Sequence, residues 1–132
     1  TQKRDFLYVH DAAKAYASGI EKIDDEPELF DNPLRNVMNL NGKEYLEWND
    51  VMKTAYSVCG HEPKIQYEEY PPERLKLENP YSVLTGDKVS DILKWKPQVT
   101  IRKGYKTMVE FYSDEEKWDE YTKRGILEAP PA

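Results

Sequence analysis

Apolar residues fall in short clusters separated by polar and proline-containing stretches, and their spacing predicts the elements one by one. Phe6-Leu7-Tyr8-Val9 is an unbroken apolar run, too short for a helix and rich in strand formers, so it predicts a strand covered on both faces. His10-Asp11 ends it. Asp11 is a good N-cap, and Ala12, Tyr16, Ile20 and Ile23 recur behind it at helical spacing, predicting an amphipathic helix over 12–24. A loop with Pro27 and Pro33 follows, then Val37-Met38-Asn39-Leu40 reads as a strand stopped by the turn signal Asn41-Gly42.

The next helix begins near 47–49. Trp48, Val51, Met52, Ala55 and Cys59 share one of its faces, and Gly60 stands where a left-handed C-terminal residue is wanted. Lys64 to Glu68 alternates polar and apolar, the pattern of a half-exposed strand, so the order strand–helix–strand is expected. Residues 69–86, with Pro71, Pro72 and Pro80, form a long irregular connection of the kind that carries function. A short helix is expected at 87–94, stopped before Lys96-Pro97. Thr100 then caps a last helix with the apolar face Ile101, Tyr105, Met108 and Tyr112, which can run on to 123. Its extension is highly charged, and Ala129-Pro130-Pro131-Ala132 is expected to fray.

Composition narrows the classes. The 132 residues suit one domain, but with 39% hydrophobic and 33% charged residues and a mean hydropathy of −0.87 the core must be thin. Ten tyrosines dominate the aromatic residues, and each buried hydroxyl among them needs a partner. Such a domain is expected to lean on a neighbour. A net charge of −6 with no basic run disfavours nucleic acid. No apolar stretch approaches a membrane span and no leader pattern opens the chain, so a soluble, cytoplasmic protein is expected. The single Cys59 excludes an internal disulfide framework. A chain opening on Thr1, with an apolar run already at residue 6, reads as cut from something longer.

The six glycines are so dispersed that the closest pairs, Gly42 with Gly60 and Gly86 with Gly104, are 18 residues apart. A dinucleotide or P-loop cradle needs clustered glycines, because only they let backbone N–H groups approach a pyrophosphate. Neither fits this chain. Gly-x-Ser-x-Gly, His-Glu-x-x-His and paired zinc-binding cysteines are also absent. The nearest constellations are Cys59 with His61 and His10 with Asp11. The first reads as a buried cysteine beside a solvent-facing histidine at a helix end, and the second as a strand end beside a cap. The acidic run Asp114-Glu115-Glu116 reads as a solvated helix face. Arg4 and Arg74 stand beside predicted loops, where a guanidinium can grip a phosphate through two parallel hydrogen bonds or form a surface ion pair.

The segment Arg4-Asp5-Phe6-Leu7-Tyr8-Val9-His10-Asp11-Ala12-Ala13-Lys14-Ala15 resembles the R-D-F-I-Y-V-x-D-x-A-x-A stretch in the later half of extended short-chain dehydrogenases/reductases, the NAD-dependent epimerase/dehydratase family acting on nucleotide sugars. The likeness continues in order. Asn36 to Asn41 resembles the family's Y-N-I-G strand, Trp48 to Pro63 the helix ending in G-K-E-P, and Ile65-Gln66-Tyr67 the next strand. Lys88 to Leu93 with Trp95-Lys96-Pro97, and Val99-Thr100-Ile101 with Gly104 and Phe111-Tyr112, resemble S-K-A-x-x-x-L-G-W-x-P and V-S-L-E-E-G-L-x-x-x-x-x-W-Y.

The resemblance implies a split enzyme. Its N-terminal Rossmann half binds NAD or NADP and holds a Tyr-x-x-x-Lys pair; the later portion shapes the nucleotide-sugar pocket. No tyrosine here is followed four residues later by lysine. Residues 1–112 are therefore expected to be the substrate-binding lobe alone, a small α/β unit of two or three short strands and about four helices lacking the Rossmann half. Residues 113–132 form a charged helical extension and tail. No catalytic residue, cofactor or metal is assigned to this chain by itself. Carried over by position, Arg4 matches an arginine that in some members contacts the substrate diphosphate. Tyr70-Pro71-Pro72-Glu73-Arg74 stands where members have R-P-G-D, which makes Arg74 the second candidate, with Glu73 or Glu78 for hydroxyls. Thr85 and Lys94 replace a common aspartate and glycine, departures expected to disturb helix ends. The alternative reading is a stand-alone interaction module derived from the same lobe. Because nothing remains before it to pair with, the Phe6–Val9 strand is expected to be an unpaired edge that promotes self-association or leaves the monomer marginally stable.

Overall fold

A computed structural model describes residues 2–32, 36–79 and 81–124. The prolines at 33 and 80, the proline-rich end at 129–132 and the side chain of Trp118 lie outside the described residues. The described chain is α/β, as expected. Its order is β1 (Lys3–Asp5), α1 (Val9–Asp25), a 3-10 turn (Pro27–Phe30), β2 (Tyr45–Glu47), α2 (Trp48–Val58), α3 (Pro72–Leu75), β3 (Tyr81–Ser82), α4 (Asp87–Leu93), α5 (Ile101–Tyr112) and α6 (Glu115–Lys123). Short α3 inside the long connection, and a break at Ser113-Asp114 that separates α6 from α5, give six α-helices among the described residues in place of four. The strands form one mixed sheet in the order β2-β1-β3, β1 being antiparallel to β2 and parallel to β3.

The first strand is displaced from its predicted position. Pairing occurs at Lys3–Asp5, while Phe6–Tyr8 leaves the sheet and Val9 is already helical. The three apolar residues go to three different neighbours. Phe6 stacks on Trp48 with ring centroids 5.7 Å apart, Leu7 packs on the cluster of Ala15, Val89 and Trp95, and the Tyr8 ring lies against Gly104. A ladder offers side chains only two opposite faces, so it could not serve all three. β1 is also the middle strand, which removes the unpaired edge expected of that run.

The strands predicted at 37–40 and 64–68 are irregular segments, and β2 leads directly into α2. The alternation is nevertheless real. Met38 and Leu40 pack against the Ala15/Val89/Trp95 cluster while Val37 is exposed. A period of two fixes side-chain direction, whereas a strand also needs a neighbour for its backbone groups.

Helix α1 starts two residues before Asp11, and Tyr8 takes the N-cap position. Asp11 and Ala15 face the core, and a Cβ added at Gly19 would lie 3.9 Å from the Leu93 side chain. The stripe Val9, Tyr16, Ile20 and Ile23 lies on another flank and is exposed, Tyr16 by 70%.

Helix ends follow the sequence more closely. Gly60 is left-handed with φ +75° after α2. The Thr100 hydroxyl accepts from the Lys103 N–H at 3.3 Å, and Glu44 Oε2 accepts from the Ile101 N–H at 2.9 Å, so the start of α5 is doubly capped. α4 is capped by Gly86 rather than Asp87 and ends on Lys94, whose φ of 54° is left-handed. A side chain in that region costs about 1–2 kcal/mol, partly offset by the looser unfolded chain that glycine brings. Lys94→Gly should therefore raise stability by about 0.5–1 kcal/mol, read as a higher urea midpoint at unchanged slope.

Helix α6 opens on Asp114, whose carboxylate accepts from the Lys117 N–H at 3.2 Å and pairs with its Nζ at 2.9 Å. The Lys117 contacts hold this carboxyl below its ordinary value. A depressed carboxylate stabilises the folded form above its unfolded pKa and loses that contribution as pH falls through the folded one. The Lys117 amide shift should accordingly titrate with a midpoint below that of a free aspartate. A midpoint at or above the free value would contradict the cap.

Candidate functional site

Two of the four expected site residues, Arg4 and Glu78, meet at one corner of the sheet. Arg4 occupies the centre of β1, opposite Leu46 of β2 and Ser82 of β3, so its backbone is fixed from both sides. Its Nη1 donates to the Lys3 and Asn79 carbonyls, both at 3.0 Å, and Nη2 lies 3.4 Å from Glu78 Oε2. The same Oε2 accepts from Gln2 Nε2 at 3.1 Å, and that amide also donates to the Tyr70 hydroxyl at 2.9 Å. Arg4, Glu78, Gln2 and Tyr70 are thus one polar chain that fastens the long connection to β1. Both members of the ion pair are about a quarter to a third exposed, so water screens it and its net contribution is small.

Arg74 and Glu73 lie on α3 and are exposed. The Arg74 carbonyl accepts from the Leu77 and Glu78 N–H groups at 3.0 and 3.1 Å. This turn carries the chain back so that Glu78 meets Arg4. Arg74 therefore stands one turn before Glu78.

Beside this corner is an open cleft of about 500 Å³ between α2 and the segment 64–70. Trp48, Met52 and Tyr56, at intervals of four on α2, form one wall, and Ile65, Tyr67 and Tyr70 face them. Asn49 Nδ2 donates to the Tyr67 hydroxyl at 3.0 Å, as Gln2 does to that of Tyr70, so an amide holds each ring. Gln2 lines the cleft; Arg4 and Arg74 do not. The surplus of tyrosines hinted at partnered hydroxyls, but Tyr67 and Tyr70 are exposed and their amide partners were not apparent.

The other constellations supply little chemistry. Cys59 is exposed at the end of α2 rather than buried. His10 is exposed and stacks edge-on with Tyr8 at 5.2 Å. Among the described residues no group of three or more His, Cys, Asp or Glu is placed to hold a metal, and no helix is long and apolar enough to cross a membrane. Asp11, expected as a cap, is fully buried and accepts through Oδ2 from the Gln98 and Val99 N–H groups at 2.8 and 2.7 Å.

No family model and no curated protein matches this sequence. Among solved structures, the chain is similar to a crystal structure of UDP-galactose 4-epimerase with a TM-score of 0.62 and 18% identity. The match covers 83% of this chain and 34% of that one, so the chain spans about a third of the length of the structure it resembles. The likeness is one of fold.

Proposed function

We propose that the chain is the substrate-binding part of an NAD(P)-dependent nucleotide-sugar epimerase, dehydratase or reductase, incomplete as a catalyst by itself. The observation that carries this reading is the fold shared with a third of UDP-galactose 4-epimerase; the ordered family-like motifs from Arg4 to Tyr112 run through the same chain. Arg4 and Arg74 grip the substrate diphosphate, and Glu73 or Glu78 accepts from sugar hydroxyls. A diphosphate reaching Arg4 must displace Glu78 Oε2 from Nη2. One anion replaces another there, so the guanidinium is never left uncompensated.

The hydride-carrying dinucleotide belongs to the other lobe, because the residues here do not fit it. Gly86 heads α4, but a Cβ at that position would overlap the Asn41 amide. A side chain fills the room a pyrophosphate would need. The exposed stripe Val9, Tyr16, Ile20 and Ile23 on α1 is the surface assigned to that lobe, since an apolar face of this kind gains free energy when covered.

Titrating the protein with UDP- and dTDP-sugars tests the reading. Arg4→Ala should weaken binding about tenfold or more, the loss of one charge-assisted hydrogen-bonded contact, and Arg74→Ala several-fold. Glu78→Gln removes the charge that competes for Arg4 and should strengthen binding where Glu73 takes the hydroxyls, or weaken it where Glu78 does. Equal affinity in all four proteins, or no binding even when the dinucleotide lobe is attached, would overturn the assignment.

A further inference from the structure

We propose that the cleft between α2 and residues 64–70 is a second site, built for a neutral pyranose ring and independent of the diphosphate grip at Arg4. Four aromatic rings border it, Trp48, Tyr56, Tyr67 and Tyr70, and three of them are held from behind. Trp48 is backed by Phe6 at 5.7 Å and an interplanar angle of 26°, Tyr67 is tethered through its hydroxyl to Asn49, and Tyr70 is tethered to Gln2. Tyr67 is 73% exposed despite its tether. An exposed ring without a tether has rotamers to lose on binding, so a ring already held gives a ligand its apolar face at lower entropic cost.

The polar lining selects the ligand. Glu47 and Glu68 carry two negative charges against one positive charge on Lys64. A phosphate would be repelled. Carboxylates accept hydrogen bonds and cannot donate, while Lys64 and the Gln66 amide in the same lining can donate, a mixture that suits ring hydroxyls, which do both. A pyranose also offers C–H faces to the aromatic rings. The volume of about 500 Å³ falls within the roughly 300–1,000 Å³ of small-molecule sites. Such a ring can come from the end of a glycan or from the hexosyl group of a nucleotide sugar, and the shared chemistry is what the cleft reads.

The test is saturation-transfer NMR on the whole 132-residue chain, with methyl β-galactopyranoside, methyl β-glucopyranoside, UDP-galactose and UDP as probes, together with shifts of the Trp48 indole and Tyr67 amide. The methyl glycosides should bind in the millimolar range and move both signals, while UDP alone leaves them in place. Tyr67→Ala should weaken glycoside binding about tenfold through the lost ring contact, with Tyr67→Phe intermediate and the far-ultraviolet circular dichroism unchanged in both. Competition by UDP-galactose would support the site with the hexosyl group as its source, and glycoside binding without competition would support it with a glycan end. Absence of transfer from either glycoside, equal binding by Tyr67→Ala, or movement of the cleft signals by UDP alone would overturn it. UDP binding abolished by Arg4→Ala, without glycoside binding, would sink this proposal and leave the diphosphate reading standing; glycoside binding without UDP binding would do the reverse.

Discussion

Asp11→Ala should lower the stability of this domain by about 3 kcal/mol, a large share of the roughly 5–15 kcal/mol available to a folded domain. Asp11 is 0% exposed, and its Oδ2 accepts from two consecutive backbone amides, Gln98 and Val99, at 2.8 and 2.7 Å. Alanine removes the acceptor and leaves both donors without their partner, each worth about 1–3 kcal/mol when desolvated. The main-chain carbonyl of Asp11, which accepts from the Trp95 indole at 3.1 Å, stays in place. The loss therefore isolates the carboxylate. Asp11→Asn retains a carbonyl oxygen and should lose about half as much. A helix cap alone would be worth about 1 kcal/mol, so urea unfolding followed by circular dichroism separates the two roles. An alanine variant within about 1 kcal/mol of the parent would return Asp11 to the part of an ordinary cap.

That case shows where the sequence stops being informative. An aspartate ahead of a helical pattern reads as a cap because the nearest orphan amides are those of its own helix. Here the amides it serves lie 87 and 88 residues away. Features that depend on neighbours along the chain were readable: the Thr100 cap and the left-handed Gly60 came from local pattern, whereas Lys94 stood out only against the glycine of the resembled family. Strands were not, since Phe6–Val9, Val37–Leu40 and Lys64–Glu68 have strand-like side-chain patterns yet pairing falls on Lys3–Asp5, Tyr45–Glu47 and Tyr81–Ser82. Pairing is decided by distant backbone. The site divides in the same way. Arg4 and Glu78 could be named singly, but their meeting across 74 residues is tertiary, as are the amides that hold Tyr67 and Tyr70.

Gly42→Ala is expected to be about as damaging, near 3 kcal/mol, for a steric reason. The backbone at Gly42 is not left-handed, so alanine can adopt its conformation. The obstacle is space. A Cβ there would overlap the Phe6 carbonyl oxygen and the Asp5 carboxylate, while the Gly42 N–H donates to that same carboxylate. Asp5 is locked in β1 opposite Tyr45, so relief must come from moving the strand that also carries Arg4. Gly60→Ala is the control. Its φ of +75° is strained for alanine but nothing lies within 4 Å of the added carbon, so it should cost only about 1 kcal/mol. Thermal melts should rank the two in that order. Adding Asp5→Ala to Gly42→Ala removes the carboxylate overlap and leaves the Phe6 carbonyl, so the pair should recover a fraction of the loss. Full recovery would locate the obstacle in the side chain and free β1 from the argument.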